Sequence, residues 1–234
     1  NFTILLFRHL RLKRMGILNM KQLLALWVLL LPVVVAAEPA SNIAWTPAQL
    51  RFVKNADLAK GKELAGSCVG CHGEQGLSQV ATFPSLAGQL ATYTYKQLRD
   101  YADGKRSNAL MNSVAQGLSE QDAADLAVWF ASLPRALNKG KQQNLEKAEV
   151  LVAKGNGKKI IPPCFTCHGA DGEGERQDIP ALAGQQPEYF ATTFKEYKSG
   201  ARHNDVYSRM RLISEQLSDE EIEQLAQYYY QMKR

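Results

Sequence analysis

One pentapeptide occurs twice in the chain and accounts for all of its cysteines. The first copy, Cys-Val-Gly-Cys-His, runs from Cys68 to His72, and the second, Cys-Phe-Thr-Cys-His, runs from Cys164 to His168. On a helical turn, positions i, i+3 and i+4 share one face, so the two sulfurs and the imidazole of each copy point the same way. Two thiols that can add to porphyrin vinyl groups, beside an imidazole for the iron, form the attachment site of c-type haem. The sequence therefore predicts two covalently attached haems.

Other uses of paired cysteines explain this pattern less completely. A shared zinc site needs the two pairs closer in sequence than the 92 residues that separate them. A thioredoxin-like dithiol normally lies in a βαβ unit, and no strand-like alternation flanks either motif. A disulfide framework would leave the two histidines unexplained. We therefore favour haem attachment at both motifs.

The first 37 residues have the pattern of a secretory signal. An apolar run of 13 residues occupies positions 23–35, Lys21 precedes it, and small residues before Ala37 suit a cleavage site. An uncleaved membrane anchor is the alternative, but a spanning helix needs about 20 apolar residues. We expect export with cleavage near Ala37. Met20 is the expected start, with residues 1–19 as a spurious upstream extension.

The net charge of +5 comes from this leader. The leader holds five basic residues and no acidic one, so residues 38–234 contain 23 Lys and Arg against 23 Asp and Glu. A nucleic-acid-binding protein needs a basic face, and a formally neutral chain gives no compositional support for one. We therefore expect no nucleic-acid partner.

A longer repeat surrounds the two motifs. Ala59-Lys60-Gly61 precedes the first motif, and Ala153-Lys154-Gly155 precedes the second. Pro-Ser-Leu-Ala-Gly-Gln at 84–89 returns 96 residues later as Pro-Ala-Leu-Ala-Gly-Gln at 180–185. Each copy ends with Leu-Ser and a capping box that opens a last amphipathic helix. With no convincing strand pattern, the repeat predicts an all-α chain made of two tandem haem-binding units.

The repeat also sets the expected domain boundaries. After the signal peptide, we expect an N-terminal lead-in at 38–56, a first domain at 57–134 and a second domain at 146–234. The polar, unpatterned stretch that follows Pro134 predicts a linker at 135–145.

Pro84 and Pro180 each lie twelve residues after a motif histidine. A histidine that ligates a metal usually donates its second ring N–H to a carbonyl or carboxylate, and a loop beginning at proline could supply that acceptor. Turn formation is the plainer alternative, and the residues alone leave both roles open.

The sixth position on each iron separates an electron carrier from a catalyst, because a thioether there raises the potential and blocks substrate access. Met111 and Met210 lie 39 and 42 residues after their motif histidines, and each precedes a Leu-Ser pair by seven residues. We predict both as ligands. Met232 has no counterpart in the first copy and is predicted as a core residue. His203 is the competing ligand for the second iron, with a solvated loop histidine as its alternative.

These motifs together resemble the dihaem class I cytochromes c, specifically the cytochrome c4 family. The resemblance rests on Cys-x-x-Cys-His-Gly, Pro-x-Leu-Ala-Gly-Gln, Gly-x-Arg and Leu-Ser-x-x-(Asp/Glu), each present twice, and covers about residues 57–133 and 146–234. It implies two cytochrome c folds that face each other, with haem propionates near the interface. It further implies thioether bonds at Cys68, Cys71, Cys164 and Cys167, and the axial pairs His72/Met111 and His168/Met210. The lead-in at 38–56 is longer than the family pattern suggests, which leaves a loose membrane or partner contact open.

The resemblance also implies a function. The first hypothesis is a periplasmic electron carrier without catalytic turnover, linking a quinol-oxidising complex (quinol–cytochrome c reductase) to a haem-copper terminal oxidase. The second is a dihaem subunit that accepts electrons from a periplasmic dehydrogenase. The third is an enzyme, a dihaem oxidase of small sulfur compounds or a peroxidase, with one open iron.

Overall fold

The computed structural model describes residues 38–135 and 145–232 of the chain. The predicted signal peptide, the middle of the predicted linker and the last two residues lie outside these ranges. Within them there is no strand, only an isolated antiparallel bridge between Asn156 and Ile161, which confirms the all-α prediction. No helix in the described ranges is both long and apolar enough to cross a bilayer.

Two sets of helices follow the sequence repeat. The first half contains α1 (Pro47–Lys54), α2 (Leu58–Leu64), α3 (Val69–His72), α4 (Ala91–Ala102), α5 (Ala109–Gln116) and α6 (Glu120–Ser132). The second half contains α7 (Glu146–Lys154), α8 (Phe165–His168), α9 (Pro187–Ser199), α10 (Arg209–Gln216) and α11 (Asp219–Gln231). The helices that close the two halves, α6 and α11, both begin with the predicted capping box, at Ser119 and Ser218.

In each half, the helix that precedes the motif packs against the last helix, α2 against α6 and α7 against α11. At the first crossing, a Cβ on Gly61 would lie 2.0 Å from the carbonyl oxygen of Asp125, so only glycine permits this approach. Gly155 does not lie in the second crossing, because it caps the end of α7. The Ala-Lys-Gly match between the halves is therefore a match of sequence and not of structural position.

The lead-in belongs to the core of the first half. Its helix α1 packs against α4 and α6, and Val53 is buried in a cluster with Tyr95 and three alanines of α6. Upstream of α1, the Ser41 hydroxyl donates a hydrogen bond to Asp100. The lead-in thus covers one side of the first half, and a membrane or partner contact through its outer face stays a prediction.

The ends of the predicted linker are attached to the two halves. Arg135 donates hydrogen bonds to the carbonyl oxygens of Gly88 at 2.9 Å and Glu173 at 3.3 Å, and so contacts both halves. Leu145 is buried in the core of the second half. Residues 136–144 lie outside the described ranges, so the linker boundaries stay a prediction.

The two halves contact each other reciprocally. The amide of Gln89 accepts from the backbone N–H of Ala181 at 2.8 Å and donates to its carbonyl at 3.0 Å. The amide of Gln185 makes the same pair of bonds with Ser85, at 2.9 and 3.1 Å. Because Gln185 and Ala181 follow Gln89 and Ser85 by the repeat spacing of 96 residues, the interface has approximate two-fold symmetry.

The packing of the lead-in gives a first prediction. Val53→Ala is expected to lower the free energy of unfolding by about 1–3 kcal/mol, because it removes two buried methyl groups from the cluster. Lys54→Ala, at an exposed position of the same helix, is the control and should change stability by about 0.5 kcal/mol or less. Denaturant titration of the holoprotein measures both, and equal stability of the two variants would contradict the assignment of the lead-in to the core.

Candidate haem sites

Each motif helix ends directly after its histidine because the next residue is a glycine with positive φ. Gly73 has φ 79°, and a Cβ there would lie 2.0 Å from the carbonyl oxygen of Leu77. Gly169 has φ 84°. This left-handed conformation, which glycine adopts without strain, turns the chain back beneath the imidazole. The glycine after each motif is therefore needed for the loop that follows.

That loop brings a proline carbonyl to each buried imidazole. Nδ1 of His72 lies 2.8 Å from the carbonyl oxygen of Pro84, and Nδ1 of His168 lies 2.9 Å from that of Pro180. A carbonyl only accepts, so Nδ1 carries the proton and Nε2 keeps its lone pair for a metal. Burial lowers the pKa of both histidines and so favours the neutral ring, while the hydrogen bond to the proline carbonyl raises the pKa and opposes this effect only in part. Of the two roles left open for the prolines, the structure shows the one that orients the histidine.

The rest of the Pro-x-Leu-Ala-Gly-Gln segment holds this carbonyl in place. In the first half, the N–H groups of Leu86 and Ala87 donate to the carbonyl of Gly76, and Gly88 N–H donates to the carbonyl of Phe130 in α6. The second half repeats all three bonds, with Leu182, Ala183 and Gly184 as donors and Gly172 and Tyr229 as acceptors. The repeated motif thus joins the imidazole to the last helix of each half.

A cavity of about 600 Å³, which we call the second cavity, lies beside the motif helix of the second half. Four of the predicted site residues line it, namely Cys164, Cys167, His168 and Met210. The wall is mostly apolar, and Met210 also packs against the core of this half. The exposed side chain of His203, the competing ligand, does not line this cavity. The residues predicted for the second haem therefore meet in one apolar space.

The first cysteine of each motif lies in an environment that disfavours the thiolate. Burial raises the pKa of Cys164 to about 11 and also raises that of Cys68. A redox-active dithiol needs a lowered cysteine pKa. The site accordingly lacks the electrostatics of a thioredoxin-like motif.

In the first half, the structure places the predicted residues without bringing all of them into contact. Cys68 packs against the cluster of Ala65, Leu126 and Phe130. Met111 is half-buried in the first turn of α5, where its N–H donates to the N-cap side chain of Asn108 at 3.1 Å. A pairing of Met111 with His72 stays a prediction. Met232 packs against the core of the second half, as expected for a methionine that fills space.

Two buried arginines lie between the halves, in equivalent positions of the repeat. Arg106 of the first half donates to the hydroxyl of Tyr189 at 3.0 Å, and Arg202 of the second half donates to that of Tyr93 at 3.0 Å. Both also donate to the same oxygen, Oε1 of Gln97. Burial alone would raise the pKa of Tyr189, but the two guanidinium charges lower it. These two cations are bound by neutral oxygens.

The charge of the two arginines and the lining of the cavity show whether the residues present fit a haem. Within residues 38–135 and 145–232, neither guanidinium forms an ion pair. A buried cation without an anion is costly, and a haem carries propionates that can supply one. Arg202, Tyr93 and Gln97 also line the second cavity. Thiols, a neutral imidazole, an apolar wall and buried cations are the groups that a covalent haem requires, so the residues fit it.

Sequence reasoning did not assign roles to the groups at this interface. The tyrosine and Gly-x-Arg repeats are visible in the sequence, but nothing there shows that each arginine bonds to the tyrosine of the other half. Gln89 and Gln185 were visible only as the last letters of a repeated motif. The sequence signal that could have indicated a role for these glutamines is that the same polar residue directly follows a glycine turn in both copies.

The helical fold, the two motif helices and their oriented histidines define a dihaem c-type cytochrome. The family model described as "Cytochrome c" matches the chain twice, at residues 58–134 and 155–233. The chain is 36% identical over 165 residues to cytochrome c4 of Thiocapsa roseopersicina. The aligned region covers 70% of this chain and 85% of that protein. It is 34% identical over 170 residues to the thiosulfate dehydrogenase electron acceptor of Thiomonas intermedia. That alignment covers 70% of this chain and 77% of the relative.

The solved structures agree with the sequence relatives. Reduced recombinant cytochrome c4 from Pseudomonas stutzeri superposes with a TM-score of 0.73 at 30% identity, covering 76% of this chain and all of that structure. The chain belongs to the cytochrome c4 family of dihaem cytochromes c. Its two cytochrome c domains bind covalent haem c, and it is an electron-transfer protein.

A buried ion pair at the interface gives a second prediction. Lys96 Nζ lies 2.6 Å from Asp100 Oδ2, with both side chains 2% exposed or less, and Asn204 of the second half donates to the same oxygen at 2.7 Å. Asp100→Asn leaves the buried ammonium without its anion and is expected to lower the free energy of unfolding by about 3–5 kcal/mol. Asp103→Asn, which breaks a surface pair with Arg99, should cost about 1 kcal/mol or less.

Thermal or denaturant unfolding of the holoproteins compares these two variants. A loss no larger for Asp100→Asn than for Asp103→Asn would show that the buried pair does not stabilise the interface.

Proposed function

We propose that the chain is exported to the periplasm and carries electrons between respiratory partners, from a quinol-oxidising complex to a terminal oxidase. One observation carries the proposal, namely that His168 and Met210 line the same apolar cavity as the two cysteines of the second motif. An imidazole and a thioether in one haem site can occupy both axial positions, so the metal offers no place for a substrate. The signal pattern of residues 1–37 supports export.

We propose specific roles for the site residues. Cys68 and Cys71 attach one haem and Cys164 and Cys167 the other. The axial pairs are His72 with Met111 and His168 with Met210. Haem c supplies a one-electron couple between ferric and ferrous iron. The chain orients both imidazoles through proline carbonyls, keeps them neutral and excludes water from the second cavity by its apolar wall.

A second candidate function has support from relatives that are named as electron acceptors of thiosulfate dehydrogenase. The electron acceptor of thiosulfate dehydrogenase from Thiomonas intermedia is 34% identical to this chain. Acceptance of electrons from a periplasmic dehydrogenase uses the same haems and differs only in the donor. An enzyme with an open iron receives no such support from the second cavity, where a methionine is available as a ligand. The proposed division into 1–37, 38–56, 57–134, 135–145 and 146–234 applies to either function.

The ligand assignment is tested by substituting each methionine. Met111→His and Met210→His are each expected to lower one of the two reduction potentials and leave the other nearly unchanged, because a thioether stabilises ferrous iron relative to a second imidazole. Each should also remove half of the weak sulfur-to-iron band at the red end of the ferric spectrum. Redox titration followed by absorbance measures both effects.

Met232→Leu is the control, since it changes a methionine that packs in the core and should alter neither potential. If Met111→His or Met210→His gave the spectrum and both potentials of the wild-type protein, that methionine would not be a ligand. A second haem that binds carbon monoxide readily in the wild-type protein would favour the enzyme hypothesis.

The two donor hypotheses are separated by kinetics. Oxidised holoprotein is mixed in turn with quinol plus a quinol–cytochrome c reductase and with thiosulfate plus a thiosulfate dehydrogenase, and haem reduction is followed optically. Fast reduction in the first mixture and slow reduction in the second supports the respiratory carrier, and the reverse result supports the dehydrogenase acceptor.

A further inference from the structure

One charged residue of the first half reaches the cavity of the second half. The described first-half residues that line the second cavity are Gln89, Tyr93, Lys96 and Gln97, and Lys96 is the charged one among them. Its side chain is 2% exposed, so water screens its charge only weakly. The haem of the second half therefore has a buried cation from the other half beside its site.

Lys96 does not face the haem of its own half. The repeat places Thr192 at the corresponding position of α9, and Thr192 is exposed and does not line the second cavity. The residues of α9 that do line this cavity lie on another face of the helix, namely Tyr189, Phe190, Thr193, Phe194 and Tyr197. Because the two halves repeat the same arrangement, Lys96 extends away from the first haem site and toward the second.

The amine of Lys96 is held by acceptors on both halves. Nζ donates to Asp100 Oδ2 in the same helix at 2.6 Å and to the carbonyl oxygen of Asn204 in the second half at 2.7 Å. Asn204 and Ser41 of the lead-in donate in turn to the Asp100 carboxylate. Burial lowers the pKa of Lys96, and the carboxylate of Asp100 opposes this effect. The network therefore fixes the amine in place and favours its charged form.

The two members of this ion pair are not equivalent toward the cavity. Lys96 lines the second cavity, whereas Asp100, one helical turn further along α4, does not. The positive end of the pair is thus the end nearer the haem site, and the two charges do not cancel there. Reduction of ferric to ferrous iron removes one positive charge from the haem, so a nearby cation favours the reduced state.

Two further buried charged residues line the second cavity, and both belong to the second half. Arg202 has a counterpart in Arg106, which makes the equivalent bond to a tyrosine. Asp205 is paired with Arg211, and its carboxylate acts on the haem in the opposite direction to Lys96. Lys96 is therefore the buried charge through which the first half acts on the second haem.

The other charges at this cavity are closer to water. Two loops that the first half lacks, at 157–160 and 206–208, border the opening of the cavity. Lys158 and the neighbouring Arg209 are exposed, and the side chain of Lys159 is 38% exposed. Solvent and salt screen such charges far more than a buried one. Their effect on the haem is accordingly smaller than that of Lys96.

We propose that Lys96 raises the reduction potential of the second haem from across the interface between the halves. Its charge acts on the haem of the half to which it does not belong, so the potential of that haem depends on the first half being in place. The inference goes beyond the proposed function, because it holds for any electron donor or acceptor.

The test is a redox titration of the holoprotein in which each haem is observed separately. Tyr229 lines the second cavity, and Phe130, at the corresponding position of the first half, packs in the cluster that Cys68 contacts. Ferric iron shifts the NMR signals of nearby rings. Isotopically labelled Tyr229 and Phe130 therefore report the oxidation of the second and the first haem, and the midpoint of each signal gives one potential.

Two variants remove the charge in different ways. Lys96→Met is expected to lower the equilibrium constant for reduction of the second haem by about tenfold, equivalent to about 59 mV for one electron. The first haem is expected to change by less than about twofold, because Lys96 faces away from it. The double variant Lys96→Met/Asp100→Asn leaves no buried ion without its partner. It is expected to lower the same constant of the second haem by about threefold, since the nearer charge of the pair is the cation.

Lys195→Met is the matched control, because Lys195 on α9 forms an exposed ion pair with Glu223 and does not line the second cavity. It should leave both potentials unchanged. The proposal is overturned if Lys96→Met shifts the second haem no more than Lys195→Met does, if it shifts both haems equally, or if it raises the potential. If Lys96→Met does not fold, the double variant decides by the same three criteria.

Discussion

The hydrogen bond between each buried imidazole and a proline carbonyl fixes more than the orientation of one ring. It places the proton on Nδ1 and leaves Nε2 free, so the chain itself selects the tautomer that a metal needs. The carbonyl lies in a loop that is bonded to the last helix of its half, at Phe130 or Tyr229. The glutamine that ends the same loop bonds to the backbone of the other half. Ligand orientation, core packing and the contact between halves therefore all depend on one six-residue segment.

The two halves share this six-residue segment and its hydrogen bonds, but they differ in the elements that surround it. The first half has gained the helix α1 on its outer side, whereas the second has gained two loops at the opening of its cavity. Buried charge is also unequal, because the Lys96–Asp100 pair lies on the first-half side of the interface, and the second half has Thr192 and Glu196 at the corresponding positions. The environments of the two haems consequently cannot be identical, which is a physical basis for two different potentials.

Much of this fold could be predicted because its signals are local. The motif spacing, the glycine after each histidine, the capping boxes at Ser119 and Ser218, and the absence of strand patterns each depend on a few neighbouring residues. That Met210 lines one cavity with the second motif was also suggested by the sequence, because Met111 and Met210 each precede a Leu-Ser pair by seven residues.

What could not be predicted depends on contacts between distant segments. Arg106 bonds to Tyr189, and Gln89 bonds to Ala181, and no periodicity in the chain encodes either pairing. The Ala-Lys-Gly match was misleading for a related reason, because Gly61 is selected by a helix crossing and Gly155 by a helix end. A short motif indicates the conformation of the local backbone. Only the packing shows which neighbouring group requires the glycine.

The reciprocal glutamine and arginine contacts have a consequence for how such a molecule can change. Each half offers the donors and acceptors that it takes from the other, as do the subunits of a symmetric dimer. In a true dimer of identical chains, every substitution appears on both sides of the axis at once. Joining the two copies into one polypeptide removes that restriction, so a lysine and an aspartate can be introduced on one side alone, as at Lys96 and Asp100. Covalent fusion thus allows the two sides of an originally symmetric interface to carry different charges.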